Sequence, residues 1–148
     1  MGEYVRDIRK KIGSRPLITA GSTIIVQDDR GRVLLQLRSD TEEWGLPGGA
    51  LEPGETLEET AAREWKEETG LAVSSLTQIG TFSGEDYYFQ YPNGDEVYNV
   101  ITVFLAGKTK GTESIPDHET LELAYYPLNE LPENLDERAR LILKEVPE

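Results

Sequence analysis

The sequence contains no cysteine, which excludes disulfides, thiolate nucleophiles and cysteine-ligated zinc sites. Histidine is almost as scarce, since His118 is the only one in the chain. An imidazole suits a general base, but a single histidine in a loop is usually solvated, and we interpret His118 in that way. A Ser-His-Asp set would depend on this one residue, so covalent catalysis of that kind is not expected.

Long apolar runs are also missing, and no segment has the length and apolarity needed to cross a bilayer. The P-loop lysine motif is absent too, which argues against kinases and NTPases of that type. The start of the chain, MGEYVRDIRKKIG, lacks the apolar core of a secretory signal peptide. Together with the absence of cysteine, these features favour a cytoplasmic protein without a membrane partner.

Positive charge is in short supply, because 15 lysines and arginines face 28 acidic residues and leave a formal charge of −13. Such a surface repels the phosphates of nucleic acids and anionic lipids, so we expect no DNA or RNA partner. A small phosphorylated ligand that arrives with a divalent cation is not excluded. The first fifteen residues nevertheless hold a basic group, Arg6, Arg9, Lys10, Lys11 and Arg15. We interpret it as the solvated face of a helix, with a phosphate or base contact as the alternative.

The 148 residues suffice for one domain with a hydrophobic core, and no repeat or linker suggests a second domain. Apolar spacing predicts a helix over residues 3–12, and Asn134 with Glu137 predicts the cap of a C-terminal helix. Strands are predicted over 20–27, 33–37, 71–73, 76–82, 97–106 and 121–126. The first two strands are expected to form a hairpin, as are 87–91 and 97–106. Residues 1–148 are therefore predicted to form a single α/β domain with a mixed sheet and helices on both sides.

The most informative stretch is Gly49–Leu71, which reads GALEPGETLEETAAREWKEETGL. Thr56 and Glu59 have capping-box spacing, so a helix is expected to begin directly after Thr56. Gly70 suits the position just beyond its end, where a left-handed backbone carries no Cβ penalty. A glycine-rich loop followed by one short acidic helix is the structure that this stretch predicts.

Three carboxylates of that helix, Glu64, Glu67 and Glu68, lie at i, i+3 and i+4 and therefore share one face. They repel one another by a few tenths of a kcal/mol per pair. A solvated acidic face is the simplest interpretation for an arbitrary helix. The preceding glycines, and Arg63 among the acids, favour instead a hard cation such as Mg²⁺, which prefers oxygen ligands.

This segment resembles the Nudix box, whose pattern is G-x5-E-x7-R-E-U-x-E-E-x-G-U, where U is a bulky aliphatic residue. The residues that fall on its fixed positions are Gly49, Glu55, Arg63, Glu64, Glu67, Glu68, Gly70 and Leu71. Trp65 stands where the family usually has an aliphatic residue, and we interpret it as a variation in core packing. The resemblance implies an α/β/α sandwich and a Mg²⁺-dependent hydrolase. Such an enzyme cleaves, by attack of water, a diphosphate linkage in a nucleoside diphosphate linked to another group.

The resemblance also implies roles for individual residues. Glu64, Glu67 and Glu68, with the Gly49 carbonyl, are the implied ligands of Mg²⁺, for which Mn²⁺ is an alternative. Arg63 and Glu55 are the implied supporting ion pair, and Glu55 has the alternative of binding metal through water. The general base stays open between a box glutamate and an acid of the later segment IPDHETLEL. In that segment Glu119 is the first candidate for a base or extra ligand, and Asp117 and Glu122 are the alternatives.

The substrate is expected to be selected outside the box. Tyr87 and Tyr88, with the nearby Phe89 and Tyr91, are candidates to stack on a nucleobase, although such aromatics are more often core residues. Trp44 is expected to serve packing. The resemblance leaves open an oxidised nucleoside triphosphate, as in MutT-like members, or a dinucleoside polyphosphate. A nucleotide-sensing module without turnover is the non-enzymatic alternative. The oligomeric state stays open, with a homodimer as one candidate because many members of the family form one.

Overall fold

A computed structural model describes residues 2–107, 109–110, 114 and 119–146 of the chain. Its helices are α1 (Glu3–Ile12), α2 (Leu57–Thr69) and α3 (Glu137–Leu143), with a short 3₁₀ turn over Glu85–Tyr87. The strands are β1 (Leu17–Ile25), β2 (Val33–Arg38), β3 (Trp44–Gly45), β4 (Gly48–Ala50), β5 (Ala72–Val73), β6 (Leu76–Phe82), β7 (Tyr88–Gln90), β8 (Glu96–Ala106), β9 (Thr109–Lys110) and β10 (Thr120–Tyr126). Every predicted strand is present, with ends that differ by at most three residues, and α1 has its predicted bounds.

The main sheet is mixed, as predicted. Its centre is the parallel pair β1 and β8, which runs from Leu17 opposite Val97 to Ile25 opposite Leu105. β4 pairs with β1, and β6 and β7 pair with β8, all antiparallel. A second sheet has the order β10–β2–β3, and β5 pairs with β9. The parallel pair requires a long crossover along the chain, and the segment that makes it contains α2.

The hydrophobic core lies on both faces of the main sheet. Ile24 and its neighbours pack against Ala61 and Trp65 of α2. Ile25, which points to the opposite face, packs with Ala139 and other residues of α3. Because side chains alternate along a strand, β1 supplies a core residue to each helix layer. This arrangement confirms the α/β/α sandwich, and Trp65, whose exposed fraction is 0%, is a core residue as expected.

The predicted hairpin of β1 and β2 is wrong beyond its turn. Asp28 N–H donates to Arg32 O at 2.9 Å, and Gln27 bridges Val33, but the strands then diverge into different sheets. Both strands contain runs buried on both faces, and each finds its partners elsewhere, β1 on β8 and β2 on β10. Local turn residues fix the reversal of the chain and leave the pairing to long-range packing.

Two further predictions need correction. The predicted second hairpin is short, because β7 covers only the start of β8, and β6 pairs with the remainder. The C-terminal helix is capped by Asp136, whose carboxylate accepts a hydrogen bond from Arg138 N–H at 2.8 Å. Asn134 serves another purpose, since its backbone carbonyl accepts from Trp44 N–H at 2.9 Å.

The basic face of α1 divides between solvent and structure. Lys10 and Lys11 are exposed, as expected of a solvated face. Arg9 is buried, and its guanidinium donates to the carbonyls of Gly13, Arg15 and Glu96 at 3.0, 2.5 and 2.5 Å. The prediction of solvation is therefore wrong for Arg9, which attaches α1 to the start of β8. Within the described residues, no helix is both long and apolar enough to span a membrane.

Candidate active site

The start and end of α2 are set by the residues that the sequence indicated. Thr56 Oγ1 accepts from Glu59 N–H at 3.1 Å, and a Glu59 carboxylate oxygen accepts from Thr56 N–H at 2.9 Å. Gly70 ends the helix with φ of 76° and ψ of −2°. Each end satisfies backbone groups that a helix terminus otherwise leaves without partners. The acids of α2 therefore lie on a helix whose bounds are fixed by local hydrogen bonds.

Arg63 holds the loop and the helix together. Its Nε donates to Glu55 Oε2 at 2.7 Å and its Nη2 to Glu55 Oε1 at 2.9 Å, which is a bidentate contact. Nη1 donates to Glu64 Oε1 at 2.8 Å, and Nη2 donates to the Ala50 carbonyl at 3.1 Å. Glu67 lies 3.5 Å from the same Nη1. One guanidinium thus contacts three carboxylates and β4.

Glu55 is surrounded by donors of the protein itself. Besides Arg63, the Glu52 N–H and the Thr60 hydroxyl each donate to its Oε1 at 3.0 Å. The hydrogen bonds from Arg63 are the main reason that the pKa of Glu55 falls to about 2. Glu55 does not contribute to the lining of the cavity described below. The geometry favours the supporting ion pair over the water-mediated metal contact.

Gly49 lies directly against the Glu64 carboxylate. A Cβ at residue 49 would lie 2.3 Å from Glu64 Cδ and 2.5 and 2.7 Å from its two oxygens. Gly48 approaches the backbone of β1 equally closely, because its Cβ would lie 2.3 Å from Ser22 O. Position 48 therefore requires a residue without a side chain so that two strands can pair, whereas a side chain at position 49 would displace the Glu64 carboxylate.

The acids border a cavity of about 350 Å³. Its walls come from α1, β1, β2, the segment from β3 to β4, β8 and α3, together with α2. The polar residues of the lining are Thr19, Ser22, Thr23, Gln36, Arg38, Ser39, Asp40, Glu64, Glu68, Tyr91, Asn99, Glu119, Asp136 and Arg138, and the glycines are Gly21, Gly45, Gly48 and Gly49. A volume of this size lies in the range of small-ligand pockets.

Of the four predicted metal ligands, Gly49, Glu64 and Glu68 line this cavity. Glu64 and Glu68 are 8% and 3% exposed, and Glu68 Oε2 accepts from Gly48 N–H at 3.2 Å. Burial raises the pKa of Glu64, although contacts with Glu68 and Arg63 oppose that shift. The Glu67 side chain is 53% exposed and is not part of the lining.

The chemistry of the donor set fits a hard cation. Buried carboxylates at a glycine backbone offer oxygen atoms alone, which Mg²⁺ prefers. In the described part of the chain, however, no three acidic or histidine residues are already grouped as metal ligands. In this arrangement Glu64 and Glu67 both contact Nη1 of Arg63, at 2.8 and 3.5 Å.

The later acids differ in position. Glu119 lines the cavity, and its backbone carbonyl accepts from Ser39 N–H at 2.9 Å. Glu122 lies on β10, is exposed and does not contribute to the lining. Asp117 and His118 lie outside the described residues. Of the candidates in this segment that the structure describes, Glu119 is the one that lines the same cavity as Glu64 and Glu68.

The two predicted stacking tyrosines do not reach the cavity. Tyr87 is buried in the core, 5.9 Å from the Phe82 ring. Tyr88 packs 5.1 Å from Tyr98, and its hydroxyl donates to Glu96 Oε1 at 2.5 Å, which raises the pKa of Tyr88 to about 12. Neither lines the cavity, whereas Tyr91 does. Their stacking role stays a prediction that this geometry does not favour.

The sequence reasoning overlooked four charged residues of the lining, which form the pairs Arg38 with Asp40 and Asp136 with Arg138. Both pairs have the same i, i+2 spacing, at the end of β2 and at the start of α3. That spacing is the one available signal, and it is weak, because charged residues two apart are common at the ends of elements. Trp44, by contrast, packs edge-on against Tyr126 at 5.1 Å, as expected of a packing residue.

Comparisons with known proteins agree on one protein family. The family model described as NUDIX domain matches residues 18–146. A Mycobacterium tuberculosis protein provisionally named mutator protein MutT4 is 40% identical over 114 residues, which cover 75% of this chain and 41% of that protein. The ADP-ribose pyrophosphatase of Methanocaldococcus jannaschii is 29% identical over 140 residues, covering 93% and 78% of the two chains. The chain therefore spans less than half of the mycobacterial relative and about four fifths of the archaeal one.

The fold has a counterpart among solved structures. The MutT NUDIX hydrolase of Burkholderia pseudomallei matches with a TM-score of 0.75 and 28% identity. The match covers 88% of this chain and 99% of that one. The mixed sheet and the helices on both of its faces are thus shared over almost the whole length of that structure.

Proposed function

Because the chain belongs to the NUDIX domain family, we propose that it is a Mg²⁺-dependent hydrolase of nucleotides. It cleaves a diphosphate linkage in a nucleoside diphosphate linked to another group, by attack of water. The observation that carries this proposal is the pair of buried carboxylates, Glu64 and Glu68, at the wall of a cavity of about 350 Å³. The guanidinium that contacts Glu64 is shared with Glu55 and Glu67, so a bound metal would supply further positive charge to the buried acids, and their placement supports one.

The metal ligands are proposed to be the Glu64, Glu67 and Glu68 carboxylates with the Gly49 carbonyl, and Mn²⁺ is an alternative to Mg²⁺. A divalent cation in such a site neutralises phosphate charge and lowers the pKa of bound water. Glu67 would leave its contact with Arg63, which at 3.5 Å is the longest of that guanidinium's ion pairs. The surface position of Glu67 makes this rearrangement inexpensive, because an exposed ion pair contributes at most about 1 kcal/mol.

The other box residues act through position. Arg63, held by Glu55 at 2.7 and 2.9 Å, orients the Glu64 carboxylate and connects α2 to Ala50 of β4. Glu119, at the cavity wall, is the proposed general base or additional ligand. A carboxylate that faces the cavity can accept the proton of the attacking water.

The substrate class draws support from two names among the relatives. The archaeal relative is an ADP-ribose pyrophosphatase, and ADP-ribose is a nucleoside diphosphate linked to another group. The mutator name of the mycobacterial relative favours a second candidate, an oxidised nucleoside triphosphate. Tyr87 and Tyr88 do not line the cavity, so neither supplies a stacking contact for a base of a dinucleoside polyphosphate, the remaining alternative. A cytoplasmic location and a homodimer stay predictions.

The test is a panel of nucleotide sugars, ADP-ribose, dinucleoside polyphosphates and oxidised deoxynucleoside triphosphates, incubated with Mg²⁺ or Mn²⁺ and analysed by product mass. Cleavage within the diphosphate of a linked nucleotide, with ¹⁸O from labelled water in one product, is the expected result. A nucleoside monophosphate and pyrophosphate from a triphosphate would establish the second candidate instead. Tight nucleotide binding with no hydrolysis under either metal would overturn the enzymatic proposal in favour of a sensing module.

A further inference from the structure

The cavity has a second group of charged residues on other elements than the box acids. At the end of β2, Arg38 donates from Nε and Nη2 to the Asp40 carboxylate at 3.0 and 2.6 Å. At the start of α3, Arg138 donates from Nε and Nη2 to Asp136 at 3.1 and 2.5 Å. All four residues line the cavity. We call them the arginine–aspartate wall.

Aromatic rings hold both guanidinium groups in place. The Arg138 guanidinium carbon lies 4.0 Å from the centre of the Phe89 ring, and that of Arg38 lies 5.7 Å from the same ring. Tyr91 lies 5.9 Å from the Arg38 guanidinium and packs edge-on against Phe89 at 4.8 Å. Phe89 does not line the cavity, so its ring contacts both guanidinium groups without taking up ligand space. The wall is therefore preorganised, and ligand binding need not order flexible side chains.

The charge of the wall argues against a further phosphate. Each guanidinium is already neutralised by its own aspartate, with side chains of Arg138 and Asp136 only 13% and 14% exposed. Glu43 adds negative charge nearby, and burial together with the Asp136 carboxylate raises its pKa. An anion placed here would face three carboxylates beside two cations. An uncharged ligand group avoids this repulsion.

The unused donors of the wall define what such a group must offer. Nη1 of Arg38 and Nη1 of Arg138 have no hydrogen-bond acceptor among the described residues, although the other nitrogens of both groups are engaged. A planar group with carbonyl oxygens or ring nitrogens would satisfy these donors in the plane of each guanidinium. Nucleobases have this chemistry, whereas the sugar and phosphates of a nucleotide do not combine planarity with such acceptors.

We infer that the arginine–aspartate wall binds the nucleobase of the substrate, while the diphosphate lies at the proposed metal site of Glu64 and Glu68. Arg38 and Arg138 donate from Nη1 to acceptor atoms at the edge of the base, and Phe89 and Tyr91 fix the orientation of both donors. This inference rests on the proposed function, since it assigns one part of the proposed substrate to one part of the cavity. It makes Arg38 and Arg138 specificity-determining residues.

The experiment compares a nucleotide substrate with its abasic analogue, in which hydrogen replaces the base at the sugar. The variants are Arg138→Lys and Arg38→Lys, which keep the charge and remove the planar fork. Each is expected to raise KM for the nucleotide about tenfold, because one hydrogen bond to a charged donor is lost, with kcat within about twofold. Cleavage of the abasic analogue is expected to have unchanged kcat/KM in both variants.

A matched control is available elsewhere in the chain. Arg32 pairs with Asp28 at 2.6 Å and lies 6.0 Å from the Tyr125 ring, so it repeats the arginine–aspartate–aromatic arrangement, but it does not line the cavity. Arg32→Lys is expected to leave both substrates unaffected. If Arg138→Lys fails to fold, Arg38→Lys still tests the inference, because its side chain is 25% exposed and tolerates change more readily.

Binding of adenosine and of 2′-deoxyguanosine in the absence of metal, followed by NMR titration, gives a readout that does not depend on turnover. Wild type and Arg32→Lys are expected to bind at least one nucleoside, with Arg138→Lys and Arg38→Lys about tenfold weaker. If the wall variants change kcat/KM equally for the nucleotide and for the abasic analogue, or change neither, the inference is overturned. Hydrolysis by the wild type in the same assay would still support the proposed function. Nucleoside binding that depends on the wall without any hydrolysis would refute the proposed function and leave the wall assignment standing.

Discussion

Replacing Gly49 by alanine tests the contact on which the proposed metal site depends. The new Cβ would lie 2.3 to 2.7 Å from three atoms of the Glu64 carboxylate. Real Cβ contacts are longer by about 1 Å, so the carboxylate has to move by roughly that amount. It would also strain or lose its 2.8 Å hydrogen bond from Arg63. Since a misplacement of about 1 Å can cost on the order of 100-fold in rate, we expect kcat/KM to fall about 100-fold.

The stability of the same variant should change little. Gly49 is not among the glycines with positive φ, and the clashing atoms belong to the end of a side chain that can rotate away. Alanine also lowers the conformational entropy of the unfolded chain, which stabilises the folded protein by about 0.4–1 kcal/mol where the native φ and ψ suit alanine. The expected change in the free energy of unfolding is therefore within about 1 kcal/mol. Gly48→Ala differs, because its Cβ would meet the backbone of Ser22, and overpacking of that kind destabilises by about 1–3 kcal/mol.

The assay combines kcat/KM in Mg²⁺ with urea unfolding for Gly49→Ala, Glu64→Asp and the double variant. Shortening Glu64 by one methylene withdraws its carboxylate from the new methyl group. The two losses should therefore be less than additive, by roughly 1 kcal/mol in the activation free energy, as expected for residues in contact. A Gly49→Ala enzyme with more than half of wild-type kcat/KM, or strictly additive losses, would show that the glycine does not serve to place Glu64.

Three further predictions follow from individual contacts. Glu55→Gln should lower the free energy of unfolding by about 1 kcal/mol at neutral pH. The pKa of Glu55 in the folded protein is lowered to about 2, so its stabilising contribution is present above its ordinary pKa of 4.5 and is lost as pH falls toward 2. The free energies of unfolding of wild type and variant, measured in urea, should therefore converge in acid. Glu68→Gln should reduce kcat at least 100-fold and Glu67→Gln less, because Glu68 is buried at the cavity and Glu67 is half exposed. If either variant retained nearly full turnover in Mg²⁺, the residue replaced in it would not be a metal ligand. Trp65→Ala should cost about 3–5 kcal/mol, because it leaves a large cavity in the core. Trp65→Phe should cost clearly less, because its cavity is smaller and it removes the buried Nε1, which has no acceptor among the described residues; equal losses by urea unfolding would contradict this.

The parts of the fold that the sequence predicted well are those set by neighbouring residues. The bounds of α2 follow from a capping box four residues long, Thr56 to Glu59, and from Gly70, and both features are present. Strand positions follow from local composition in the same way. Strand partners do not, because β1 lies beside β8, which is far along the chain, instead of beside β2. Pairing is decided by which faces must be buried together, and turn residues carry no such information.

The candidate site shows the same division. The arrangement of Glu64, Glu67, Glu68 and Arg63 on one helix could be predicted, since helical geometry places residues three and four apart together. The exposure of Glu67 could not, because it depends on how α2 is rotated against β1 and β4. Arg38 and Arg138 become neighbours through Phe89 only after the two sheets and α3 have assembled.

The misplacement of the predicted aromatic contact has a specific physical cause. A regular strand over 87–91 would place alternate rings on opposite faces, so Tyr87, Phe89 and Tyr91 would share one face. The 3₁₀ turn over Glu85–Tyr87 shifts Tyr87 out of that alternation and into the core beside Phe82. Phe89 and Tyr91 keep the common face and meet the two guanidinium groups there, while Tyr88 lies on the other face against Tyr98. The irregular turn thus removes Tyr87 from the face that it would share with Tyr91, whereas ordinary strand alternation removes Tyr88. Of these three tyrosines, Tyr91 is the one that lines the cavity.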